Sequence, residues 1–64
     1  MVNIDFKVAL LRRGITQREL SELTGIGESY ISLAARGRYV PSDRQQELIA
    51  GVLGVGKDDL FRGN

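Results

Sequence analysis

Glycines at positions 14, 25, 27, 37, 54 and 56 cut this chain into short runs, and that division limits what it can fold into. Within the runs, apolar residues recur at three- and four-residue intervals instead of alternating, the pattern of helices with one buried face. The expected architecture is all-α, with five short helices packed as one compact domain. At 64 residues the chain supports a single small core. It has no cysteine and no histidine, which removes disulfide staples, the usual zinc sites, thiol nucleophiles and the commonest general base near neutral pH. No apolar run is long enough to span a membrane. The start, Met1-Val2-Asn3-Ile4-Asp5, lacks a signal peptide's basic head and apolar stretch, so the expected location is cytoplasmic.

Start and stop residues place the helices. Asn3 can cap a first helix over residues 4–13, with Asp5 in its first turn, Arg12 and Arg13 in its last, and Gly14 as its stop. Phe6 and Leu10 should face inward. Thr16-Gln17-Arg18-Glu19 is a capping box: the Thr16 hydroxyl can accept from the Glu19 amide while Glu19 reaches back to the Thr16 amide. Ile15 and Leu20 fit a hydrophobic staple, and Leu20 with Leu23 forms the expected buried stripe. Gly25-Ile26-Gly27 makes a tight connection in which Ile26 plugs the angle between two helices. A third helix is expected over residues 28–36. There Ile31, Ala34 and Ala35 share one side, and Glu28, Ser29, Ser32, Leu33 and Arg36 share the other. Tyr30 reads as core edge. After a loop ending at Pro41, Ser42 opens a fourth helix with Gln45 as a second capping-box partner. Leu48, Ile49, Val52 and Leu53 form its apolar face, and Val55, Leu60 and Phe61 close the core.

Charge separates function classes less sharply. Nine Lys and Arg against eight Asp and Glu leave a net charge of +1, a weak footprint for nucleic acid. Distribution counts for more: Arg36, Arg38 and Arg44 cluster opposite only Asp43, while Glu47, Asp58 and Asp59 load the C-terminal part. A nearly neutral molecule with one basic side can still meet phosphate with that side. Arg44 could equally pair with Asp43 or Glu47. Catalysis finds no support. Asp58-Asp59 fits the first turn of a last helix better than a metal site, and Gly54-Val55-Gly56-Lys57 lacks the rest of a phosphate-binding loop.

A helix, a three-residue glycine turn and a second helix with a polar outer face make a helix-turn-helix over residues 16 to about 38. Thr16-Gln17-Arg18-Glu19-Leu20, Gly25-Ile26, Tyr30-Ile31-Ser32, Arg36-Gly37-Arg38, Pro41-Ser42 and Leu53-Gly54-Val55 stand in the order found in the Cro and phage-repressor (XRE) helix-turn-helix family. The chain resembles that family over residues 6 to 61. The resemblance implies a compact five-helix, lambda-repressor-like fold, a third helix in the DNA major groove, and two-fold dimers on double-stranded DNA. It implies that Gln17 meets a phosphate, that Glu28, Ser29, Ser32 and Leu33 face base edges, and that Gly37, Arg38 and Tyr39 lie along the sugar-phosphate backbone.

Three departures from the family pattern stand out. Many members carry an arginine where this chain has Leu10 and a glutamate where it has Ala35, joined as a partly buried ion pair. Replacing both charges by hydrocarbon is often neutral or stabilising, so the joint change suits contact between the first and third helices. Gln46 occupies a common leucine position, and Gly27 a frequent side-chain cap.

Each expected contact has an ordinary alternative. Glu28 could accept from a cytosine amino group or complement the helix dipole. Ser29 and Ser32 could donate to bases, or simply be solvated. Leu33 could touch a thymine methyl, or pack under Tyr39 or a partner. Arg36 and Arg38 suit phosphate, with Gly37 between them leaving backbone amides accessible. The function expected is a repressor-like transcriptional regulator needing no cofactor, metal or small-molecule substrate. The alternative is an adaptor or antitoxin-like module whose third helix binds protein.

Overall fold

A computed structural model of the chain describes residues 2–61. The reading of the chain start falls partly on Met1, outside the described residues. Five helices follow in order: α1 (Ile4–Arg13), α2 (Gln17–Thr24), α3 (Glu28–Ala35), α4 (Asp43–Leu53) and α5 (Lys57–Phe61). Their starts are written in side chains. The Asn3 carboxamide oxygen accepts from the Phe6 amide at 3.1 Å. Thr16 and Glu19 close both halves of their capping box, at 2.9 and 3.1 Å, and Ser42 and Gln45 do the same at 3.0 and 3.2 Å. Each such cap satisfies amides that the helix itself leaves without an acceptor. Helix α3 begins at Gly27 with no side-chain cap bond, as its sequence predicts.

Asn3 does more than cap. Its side-chain amide donates to the Leu60 carbonyl at 2.8 Å, and its backbone amide donates to the Ala35 carbonyl at 3.0 Å. One residue thus joins the entry of α1 to the ends of α3 and α5.

The core is built around Phe6, Leu20, Ile31 and Ile49, all fully buried. Leu10, Ile26, Ala34, Ala35, Ala50, Leu53, Leu60 and Phe61 fill in around them. The Phe6 and Phe61 rings meet in a tilted pair with centroids 5.7 Å apart. Helix α2 packs on α3 and α4, and α5 bridges α1 and α4. Leu10 and Ala35 are both buried in this core, the environment in which hydrocarbon replaces an ion pair without stranding a charge. Gln46 stays polar for a reason: its side-chain amide donates to the Pro41 carbonyl at 2.8 Å, fastening the loop ahead of α4.

Four expected inward positions are corrected. Leu23 is 64% exposed. Half-buried Gln17, Ser21 and Thr24 surround Leu20 on the other flank, so the inward stripe of α2 leans away from Leu23. Leu48 lies a 100° step outside the stripe of Ile49, Ala50 and Leu53, and is exposed. Val55, in the turn before α5, is exposed while Leu60 and Phe61 close the core as expected. Tyr30, one step before Ile31, points outward and is 51% exposed.

Candidate nucleic-acid interface

The turn between α2 and α3 fixes the angle at which the third helix leaves the core. Gly25 takes φ +76°, a left-handed conformation that glycine adopts at little steric cost. Ile26 is buried, so its backbone polar groups need partners inside the protein. Two hydroxyls of α2 supply them. Thr24 Oγ1 accepts from the Ile26 amide at 3.2 Å while donating to the Leu20 carbonyl at 2.8 Å, and the Ser21 hydroxyl donates to the Ile26 carbonyl. The sequence marks Ile26 as a plug. It gives no comparable warning that Ser21 and Thr24 hold it, although hydroxyl residues five and two positions before a buried turn residue are the available signal.

Helix α3 presents its expected two sides. Ile31, Ala34 and Ala35 are buried, Glu28, Ser29 and Arg36 are exposed, and Ser32 and Leu33 are half-buried. The inward residues are mostly alanine, whose small side chains permit a close approach to the neighbouring helices. Its end differs from expectation. Gly37, at φ +75°, donates its amide to the Ala34 carbonyl at 3.0 Å, and Arg38 donates its amide to the Leu33 carbonyl at 2.9 Å. That is a Schellman closure, which consumes the two amides expected to stand open for phosphate. The expectation of accessible amides is corrected, and the positive φ of Gly37 turns the chain at the helix end.

Tyr39 is likewise an anchor. Its hydroxyl donates to Gln45 Oε1 at 2.7 Å, the same oxygen that accepts the Ser42 amide in the α4 cap. Its ring packs against Tyr30, with centroids 5.2 Å apart and planes 42° from parallel. The loop carrying Arg36 and Arg38 is therefore bound to α3 on one side and to the start of α4 on the other. Tyr30 is the residue that the sequence reading missed here; a second tyrosine nine positions on was the only hint.

Arg36, Arg38 and Arg44 are exposed, and none meets a carboxylate among the described residues. Asp43, one of the two acids considered for Arg44, instead lies 3.7 Å from Lys57 Nζ. Gln17 is the first residue of α2 and is half-buried. Its amide and that of Arg18 fall outside the capping box and have no acceptor among the described residues, which leaves them at the positive end of the helix. Among the described residues no group of acids could hold a metal ion, and no helix is long and apolar enough to cross a membrane.

Residues 6–60 match the model of a family described as helix-turn-helix. The chain belongs to that family. It is the Cro and phage-repressor (XRE) type of helix-turn-helix, a family of DNA-binding regulators. No curated protein and no solved structure matches the chain. The family match takes in the whole of α2, the Gly25–Gly27 turn, α3 and the arginine loop, so every interface residue discussed above belongs to the helix-turn-helix domain.

Proposed function

We propose that this domain binds double-stranded DNA sequence-specifically, as a repressor-like transcriptional regulator of the cytoplasm, with α3 in the major groove and two copies on a two-fold site. The observation that carries the reading is the division of α3. Ile31, Ala34 and Ala35 are spent on the core, while on the outer side the Glu28, Ser29 and Ser32 side chains make no hydrogen bond or ion pair among the described residues. On that side Glu28 accepts from a cytosine amino group, Ser29 and Ser32 donate to base edges, and Leu33 meets a thymine methyl. The open start of α2 at Gln17 takes one phosphate. Arg36, Arg38 and Arg44 take others, and Gly37 and Tyr39 lie along the sugar-phosphate backbone in the loop that presents them.

A salt titration of binding to random duplex tests the reading. Counted per bound copy, three arginine contacts give log K a slope of about −3 against log salt, and Arg38→Ala flattens it by about one unit. Affinity absent even at low salt rejects DNA and leaves α3 as a protein-binding surface, the role that exposed Glu28 and the net charge of +1 would then suit. Selection from a random duplex pool should recover palindromes with half-sites about one helical turn apart.

A further inference from the structure

A helix leaves its last four carbonyls to find amides beyond its own end. In α3 three of them are met by the chain that follows: Ser32 by the Arg36 amide at 3.1 Å, Leu33 by the Arg38 amide at 2.9 Å and Ala34 by the Gly37 amide at 3.0 Å. The fourth, the carbonyl of buried Ala35, accepts at 3.0 Å from the backbone amide of Asn3, at the entry of α1. Among the described residues this is the one hydrogen bond from α3 to any part of the chain outside residues 27–38. Elsewhere α3 meets α1 and α2 through Ile31, Ala34 and Ala35, and apolar packing is non-directional. A hydrogen bond has a preferred line as well as a length.

The amide that supplies this line is itself held. The Asn3 carboxamide oxygen accepts from the Phe6 amide in the first turn of α1 at 3.1 Å, and its nitrogen donates to the Leu60 carbonyl in α5 at 2.8 Å. Both ends of the side chain are thus committed to helices other than α3. Ile26 anchors one end of α3 and the Asn3 bond the other. Over the roughly 12 Å of an eight-residue helix, a shift of about 1 Å at Ala35 tilts the axis by about 5°. Such a tilt moves the whole outer side together, and the arginine loop starts from the same end. We propose that Asn3 is a positioning residue of the interface: it acts through α3 without touching DNA, and sets the tilt at which the helix and its loop are presented. The role rests on the reading of α3 as the DNA-facing helix.

Asn3→Ala and Asn3→Pro separate the two parts of this anchor. Both lose the side-chain bonds, and only proline also loses the N–H; the φ of −85° at this position lies close to the range that proline holds. Affinity is measured for the duplex recovered by selection, at a temperature where circular dichroism shows each variant fully folded, so that lost stability alone leaves it unmoved. Folded Asn3→Pro should then bind at least ~5-fold more weakly than Asn3→Ala. Asn3→Ser keeps a cap acceptor for α1 but gives up the donor to Leu60. It should bind at least ~2-fold more weakly than the parent, and it carries the test alone where proline prevents folding. Without any DNA, the Asn3 amide should exchange with solvent as slowly as the amides of α3. A parent that binds no duplex removes the DNA reading and this role together. With the parent bound, folded Asn3→Pro equal to Asn3→Ala, Asn3→Ser equal to the parent, or a freely exchanging Asn3 amide overturns the role and leaves the DNA reading standing.

Discussion

Gly25 offers the cleanest test of how the turn between α2 and α3 is encoded. It sits at φ +76°, and a Cβ built there meets no atom within 4 Å. Gly25→Ala therefore introduces no clash, and its cost is the left-handed backbone alone, about 1–2 kcal/mol for an L-residue. Alanine also narrows the unfolded ensemble, which offsets about 0.4–1 kcal/mol of that. The net loss is about 0.8 kcal/mol at the midpoints of these ranges, within about 0–1.6 kcal/mol. At about 4–8 °C per kcal/mol for a domain of this size, the midpoint loss lowers Tm by about 3–6 °C. Gly25→Asn should fall less, because asparagine enters this region more readily. Gly27 is the internal control. Its φ is −57°, and a Cβ there would lie 3.3 Å from Tyr30 Cδ2, part of a half-exposed ring with room to yield. Gly27→Ser should leave Tm unchanged or raise it, since it adds a cap acceptor to α3 and restricts the unfolded chain. Thermal unfolding followed by far-ultraviolet circular dichroism on the four proteins decides the matter. If Gly25→Ala melts at or above the parent while Gly27→Ser melts well below it, backbone conformation does not set this turn.

Thr16→Ala removes the hydroxyl that caps α2 and should cost about 1 kcal/mol, with Thr16→Ser close to the parent in the same melting experiment. Equal melting of all three would mean the capping box contributes nothing. Tyr39→Phe removes the bond to Gln45 Oε1 and should cost about 0.5–1.5 kcal/mol in chemical denaturation; a more stable variant would refute the anchoring role. Phe6→Ala empties the fully buried centre of the core and should cost about 3–5 kcal/mol, a large share of the roughly 5–15 kcal/mol that holds a typical domain together. A denaturation midpoint near the parent's would contradict the packing described.

What could be read from the sequence follows from how far each signal reaches. The bounds of α1 and α2 were legible because Asn3, Thr16 and Glu19 act on amides within three residues of themselves. Burial on α2 was not. On a helix of barely two turns, Leu20 fixes one inward direction, and only the neighbouring helices decide which flank of it is covered. Leu23 fell on the open flank. The two sides of α3 were legible from periodicity, yet periodicity cannot say that Ser32 and Leu33 are half-covered by neighbouring elements. Gly37 shows the same boundary. Its residue type announced a turn, but whether its amide faces solvent or folds back on Ala34 is a matter of the loop's path. Tyr39 was foreseen in the loop, while its bond to Gln45 depends on where α4 begins.

The alanines on the inner side of α3 have a consequence for how such a domain can diverge. Interaxial distance between packed helices runs from about 8 to 10 Å, according to the side chains at the contact. Ala34 and Ala35 are both buried on the inner side of α3, and side chains this small permit an approach at the short end of that range. A bulkier residue at either position would push the helix outward as a rigid piece and carry Glu28, Ser29, Ser32 and Leu33 with it. The reach of the outer side and its chemistry are therefore set at different positions. Descendants of this sequence can change the chemistry of the four outer residues while the standoff of the helix stays calibrated from within.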